Sequence, residues 1–129
     1  MAVELKILLW SAILGLVNIV LAAGVANRQR GLRWNIGPRD EIKPVIGVAG
    51  RLTRAFANFQ ETFPIFAVAV IVCGVLTKYN NNSAIGAYLY LIGRLVYLPL
   101  YAFGVPLART LAWAVSLIGI IMVIATALS

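Results

Sequence analysis

The chain has no histidine, one cysteine and only four acidic residues. With a lone Cys73 there is no intrachain disulfide, and without histidine there is no zinc-type ligand set, so no metal site is expected. Cys73 sits inside an apolar run and reads as a small buried hydrophobe. Charge of either sign is scarce: 12% of residues are charged, against about 25% in a soluble domain. Hydrophobic residues make up 62%. Together these values predict an integral membrane protein whose solvent is the lipid bilayer, built as one small domain over 1–129.

The formal net charge is +7, but its distribution argues against nucleic-acid binding. Most of the basic residues lie between Arg28 and Arg54, flanked by apolar runs, as the positive-inside rule requires of a cytoplasmic loop. The N-terminal run does not read as a signal peptide, because Glu4 occupies the would-be basic region and the apolar stretch is too long.

Four spans are expected, each near the ~20 residues needed to cross a ~30 Å hydrocarbon core. They are Leu5 to Ala26, a helix from near Glu41 or Val45 to Thr77, Ala84 to Phe103, and Leu107 to Leu128. Asn18, inside the first, predicts an interhelical hydrogen bond. The first loop, Asn27 to Pro44, carries Arg28, Arg30, Arg33, Arg39 and Lys43, with Gly31, Gly37 and Pro38 as breakers and Trp34 as an interfacial anchor. Asp40 and Glu41 are placed to open the second helix. Loops one and three then face the cytoplasm, and both termini lie outside. The fold expected is an all-α four-transmembrane-helix bundle.

The second helix carries the most informative stretch. At about 100° per residue, Arg51, Arg54, Asn58 and Glu61 fall within roughly 80° of one another. An ion left in lipid costs about 2.5–3.5 kcal/mol on insertion scales, so the stripe must face protein, water or a ligand. In the third span Arg94, Tyr97 and Tyr101 share a face by their i, i+3, i+7 spacing. Arg109 opens the fourth span. Pro64 and Pro99 interrupt the second and third helices, each freeing a carbonyl one turn earlier. Arg51 and Arg109 alone would be ordinary membrane-end arginines, and Tyr97 and Tyr101 alone an aromatic belt. Arg94 and Glu61 lie inside apolar runs, where a structural ion pair competes with a functional site. Taken together, four guanidiniums, one acid, one amide and two phenols predict an inner-leaflet crevice for a ligand with several carboxylates.

These residues also resemble a family. Arg-x-x-Arg-Ala-x-x-Asn-x-x-Glu-x-x-Pro-x-Phe, here Arg51, Arg54, Ala55, Asn58, Glu61, Pro64 and Phe66, is similar to the second-helix signature of the MAPEG family. That name covers the membrane-associated proteins of eicosanoid and glutathione metabolism. Arg94, Leu95, Tyr97 and Tyr101 match a second motif. The run Gly-Val-Pro-x-x-Arg-Thr-x-x-Trp, from Gly104 to Trp113, resembles the short bacterial branch. The resemblance implies a homotrimer in a bacterial inner membrane, with glutathione as co-substrate at the subunit interfaces. It implies that Arg51, Arg54, Asn58, Glu61, Arg94, Tyr97 and Tyr101 line the glutathione site and that Arg109 stabilises the thiolate. A transferase or peroxidase for lipophilic small-molecule electrophiles follows. Thr62 stands where leukotriene synthases carry Tyr, and Ala57 where prostaglandin synthases carry Arg, so generic glutathione chemistry is implied rather than an eicosanoid specificity. The rival readings are a small proton-coupled multidrug exporter using Glu61, and a non-catalytic protein that keeps the MAPEG fold.

Overall fold

Glycines and prolines set the helix ends. The computed structural model describes residues 1–41 and 43–129. In chain order they form α1 (Val3–Arg30), α2 (Leu32–Ile36), α3 (Gly47–Val75), α4 (Asn81–Ala102) and α5 (Pro106–Leu128), with no strand among the described residues. All but α2 are long and apolar enough to cross a membrane. The chain is therefore an all-α integral membrane protein with four spans, as its hydropathy predicts.

The expected first loop is shorter than predicted. α1 continues to Arg30 and stops where Gly31 takes a φ of +89°. Next comes α2, where the sequence predicts loop. Residue 42, within that expected loop, lies outside the described residues. Asp40 and Glu41 do not open the next helix. Pro44 biases the residue before it toward extended backbone, and Gly47, with φ of +62°, blocks helical continuation further upstream.

The other two connections are closed by local hydrogen bonds. At the end of α4 the Val105 amide donates to the Leu100 carbonyl (2.9 Å) and the Gly104 amide to Tyr101 (3.0 Å), with Gly104 at φ +72°. This Schellman turn satisfies carbonyls that the helix end leaves open. α3 ends the same way: Lys78 donates to Cys73 and Thr77 to Gly74, each at 3.0 Å. Here, however, the left-handed position is Thr77, at φ +54°. α4 starts at Asn81, earlier than the expected Ala84, because Asn80 and Ser83 form a reciprocal capping box. In the same turn the Tyr79 phenol donates to the Val70 carbonyl (2.9 Å). Burial, reinforced by the Glu4 carboxylate, pushes its pKa up, so it stays a donor.

Small residues let α4 and α5 touch. A Cβ on Gly86 would stand 2.7 Å from the Gly119 carbonyl, and one on Gly93 would stand 2.9 Å from the Ala112 carbonyl and the Ser116 amide. Close approach of this kind is how helices associate where lipid removes the hydrophobic drive. α1 packs on α3 with Gly15 under the Phe59 ring. Asn18 does not bridge helices; its Nδ2 donates within α1 to the Leu14 carbonyl (2.9 Å). α3 and α4 are keyed by Phe66 stacked on Tyr90, centroids 4.0 Å apart, and by a 3.1 Å contact between the Thr62 and Tyr90 hydroxyls. Both α3 and α4 run unbroken through Pro64 and Pro99.

Two substitutions test this packing by thermal melting in detergent. Thr77→Gly should raise the melting temperature, because a β-branched residue at positive φ costs on the order of 1–3 kcal/mol. Gly93→Leu should lower it sharply, since the added atoms meet backbone that cannot rotate aside.

Candidate functional site

α3 is 29 residues long, or about 43 Å at 1.5 Å per residue, against a hydrocarbon core of about 30 Å. Counting about 20 residues back from Val75 reaches Phe56. Asn58 and Glu61 then lie within the apolar layer, and Arg51 and Arg54 beyond it. α4 and α5 meet at the same end of the bundle through the Gly104 turn. That end is the arginine-bearing one.

Arg94 is the deepest charge there, 2% exposed on α4. Its Nη1 donates to Asn58 Oδ1 of α3 at 2.7 Å. Its guanidinium lies 4.1 Å from the centre of the Tyr97 ring and 5.8 Å from that of Phe59. No carboxylate among the described residues meets it, and its Nε is buried without an acceptor. The ring faces and the amide oxygen replace part of the lost hydration. A buried charge normally has a full set of partners; this donor has none among the described residues.

Tyr97 leads outward to Tyr101, with centroids 5.4 Å apart. Tyr101 is held between two further cations. Arg109 of α5 lies 4.6 Å over its ring. Arg54 of α3 lies 5.9 Å from the ring centre and donates from Nε to the phenol oxygen at 3.2 Å. A cleft of about 180 Å³ opens here, lined by Asn58, Tyr97, Tyr101, Arg109, Thr110 and Trp113.

Of the residues predicted for the site, Asn58, Tyr97, Tyr101 and Arg109 line this cleft. Arg94 underlies it, and Arg54 joins it through Tyr101. Arg51 does other work: its Nε donates to the Ala102 carbonyl at 2.8 Å, closing the end of α4 beside the Gly104 turn. Glu61 is exposed on the outer face of α3, outside the cleft, and no described residue pairs with it. Thr110 and Trp113 complete the wall. They belong to the Gly104–Trp113 run but were not among the predicted site residues.

A second buried polar contact lies at the opposite end and escaped the sequence reading. Glu4 of α1 is 4% exposed, and the Ser83 hydroxyl of the α4 capping box donates to its Oε2 at 2.6 Å. The signal was an acid at the head of an apolar run together with Asn-x-x-Ser, but nothing in the spacing joins residues 4 and 83.

The Arg94–Asn58 bond should be measurable. A hydrogen bond to a charged group contributes about 1.5–3 kcal/mol, so Asn58→Leu should destabilise by about 2 kcal/mol. Arg94→Met in the same chain should recover most of that loss, because the buried charge goes with its partner. Detergent melts of the single and double variants decide it; an Asn58→Leu protein as stable as wild type would show that the amide does not hold the guanidinium.

No curated protein matches the chain significantly. The sequence profile of the MAPEG family matches residues 7–129, from the first turns of α1 to the last residue. The four spans and the clustering of Asn58, Arg94, Tyr97, Tyr101 and Arg109 at one end of the bundle accompany that match, and the chain is a membrane protein of the MAPEG family.

Proposed function

We propose that the arginine-rich cleft binds glutathione as a co-substrate and that the protein is a glutathione-dependent transferase or peroxidase for lipophilic electrophiles. The observation that carries this reading is Arg94: a buried cation with an unmatched Nε, beside two more guanidiniums, Arg54 and Arg109, and no neutralising acid among the residues that line the cleft. Such a surplus suits a small peptide with two carboxylates, which guanidinium forks grip well. Membership of a glutathione-associated family supports the same ligand.

The roles divide by position. Asn58 and Arg54 bind and orient the carboxylates, and Arg94 supports the site from beneath through its bond to Asn58. Tyr97 and Tyr101 wall the site and supply short-reach phenol donors. Arg51 braces the turn that carries Arg109. Arg109, over the Tyr101 ring at the cleft mouth, is the catalytic residue. A free thiol has a pKa of about 8.5, and an adjacent cation lowers it toward neutral pH. The thiolate sulfur then forms a bond to an electrophilic carbon of the substrate as the leaving group departs with the bonding pair. With a lipid hydroperoxide it attacks the distal oxygen instead. The alcohol leaves, and a second thiol resolves the sulfenate.

Glu61 would take the amino group of the peptide, which requires a closed space over the outer face of α3. One protomer does not provide it. The cleft, at about 180 Å³, is below the roughly 300–1,000 Å³ of ordinary small-molecule sites. Glu61, exposed within the apolar layer, would meet lipid in a lone protomer at a cost of several kcal/mol. A second copy against this face answers both, which fits the homotrimer that the family resemblance implies. The arginine-bearing end would then face the cytoplasm of a bacterial inner membrane, and the hydrophobic substrate would arrive sideways from the bilayer.

The experiment is conjugation of a model aryl halide by purified protein. Arg109→Ala should lower the rate by about 10²-fold or more, a magnitude usual for removing one stabiliser of developing negative charge. It should also move the rising limb of the pH–rate profile upward: only the thiolate reacts, and loss of the cation returns the thiol pKa toward 8.5. Glu61→Ala should weaken glutathione binding in calorimetry. Wild-type rates in both variants would end the assignment.

A second reading rests on Glu61, an exposed carboxylate that forms no ion pair among the described residues, although Arg54 lies two turns away on the same stripe of α3, which counts against it. If the protein is a proton-coupled exporter, proteoliposomes will expel a lipophilic cation under a proton gradient, and Glu61→Gln will abolish that flux while conjugation stays absent.

A further inference from the structure

Arg109 is set at the unfavourable end of its helix. It stands in the first turn of α5, which opens at Pro106 and carries no acidic residue. The positive end of a helix dipole disfavours a cation there. Arg30, Arg39, Arg54 and Arg94 each combine an aromatic ring with at least one hydrogen bond from the guanidinium. The Arg109 guanidinium makes no hydrogen bond and no ion pair among the described residues. It has the face of Tyr101 instead, 4.6 Å from the ring centre.

That ring is fixed from several sides. The Tyr101 carbonyl accepts from the Gly104 amide at 3.0 Å, and Arg51 Nε holds the next carbonyl, that of Ala102, at 2.8 Å. The Tyr97 ring backs it, with centroids 5.4 Å apart and planes tilted by 55°. Arg54 Nε donates to the phenol oxygen at 3.2 Å, which leaves the phenol proton for another acceptor. Face and hydroxyl therefore have different partners. The face carries Arg109, and the oxygen edge meets Arg54. A guanidinium suits such a face because it is planar and weakly hydrated, and the negative face of the ring attracts it most where water is thin.

We propose that Tyr101 is a positioning residue for Arg109 and acts through its ring face, while its hydroxyl serves ligand binding. This rests on the glutathione reading of the cleft. An arginine side chain has much rotamer freedom to lose, and a misplacement of about 1 Å can cost about 10²-fold in rate. The ring restrains the guanidinium without cancelling its charge. A carboxylate in the same place would restrain it equally well and neutralise the charge that a thiolate needs.

Two variants separate ring from hydroxyl: Tyr101→Phe keeps the face, and Tyr101→Leu removes both. The first readout needs no glutathione. In protein carrying isotope-labelled arginine, the Arg109 Nε–H resonance, identified by its loss in Arg109→Lys, should lie upfield of that of an exposed arginine, because the ring shields it. The shift should persist in Tyr101→Phe and vanish in Tyr101→Leu. The second readout is conjugation of the aryl halide. Tyr101→Phe should raise KM for glutathione while kcat and its pH profile stay in place. Tyr101→Leu should lower kcat about tenfold or more. It should also move the rising limb of the kcat profile, which reports the bound complex, toward about 8.5. If melting shows that Tyr101→Leu does not fold, Tyr101→Met, whose unbranched chain refills the space, is read in the same way. An unshifted Arg109 resonance in the wild-type protein would overturn the inference. So would a kcat loss in Tyr101→Phe as large as in Tyr101→Leu, or an unmoved profile in Tyr101→Leu. A shifted resonance in a protein that conjugates nothing would end the glutathione reading, and the positioning role with it, while confirming the hold of the ring on Arg109.

Discussion

A guanidinium held in the apolar layer with one neutral hydrogen-bond partner is the constraint from which the arginine-bearing end takes its form. Arg94 must satisfy its charge locally, and it does so with the Asn58 amide of α3 and the faces of Tyr97 and Phe59. This fixes the rotation of α3 against α4. Given that rotation, Tyr97 and Tyr101 point along one wall, Arg54 reaches the Tyr101 phenol, and α5 delivers Arg109 to the other side of the same ring. Aromatic faces take the place of carboxylates throughout. The cations are thereby sheltered without being neutralised, which is the condition for attracting an anion.

The two ends of the bundle solve the burial of polar groups differently. At the Lys78 end, the contacts close on themselves: Ser83 caps α4 and holds Glu4, Tyr79 bonds Val70, and Lys78 donates to the Ala127 carbonyl at 3.3 Å. At the arginine-bearing end, donors are left over. Arg94 Nε lacks an acceptor, Arg30 and Arg39 have only neutral ones, and Glu61 looks outward from α3. The closed end gives rigidity, and the open end leaves cations without anionic partners among the described residues. α3 separates the tyrosine cleft along one edge from a groove between α1 and α3 along the other, with Ala57 and Glu61 exposed on the helix.

Much of this was legible before any coordinates. Hydropathy alone placed four spans to within a few residues, because a bilayer leaves the chain few alternatives to helices with internally satisfied backbones. The i, i+3, i+7 spacing of Arg94, Tyr97 and Tyr101 put them on one face, and they share it. Sequence reasoning failed where the outcome depends on one residue's backbone angle or on contacts between distant residues. Gly47 at positive φ moved the start of α3 past Asp40 and Glu41, and α2 formed where breakers promised loop. Asn18 turned back to its own helix, an alternative that spacing does not distinguish from a bond to a neighbour.

The amino-acid sequence by itself determined that this is a four-span membrane protein with its cations gathered at one end. Apolar length and the cost of ions in hydrocarbon admit little else. Only the tertiary structure decided which cations serve the cleft and which serve the scaffold. Arg51 and Arg54 lie three residues apart on one helix, yet one closes the end of α4 and the other meets Tyr101. That division depends on where α4 ends and how α5 returns against it, relations between segments fifty residues apart that no local pattern encodes.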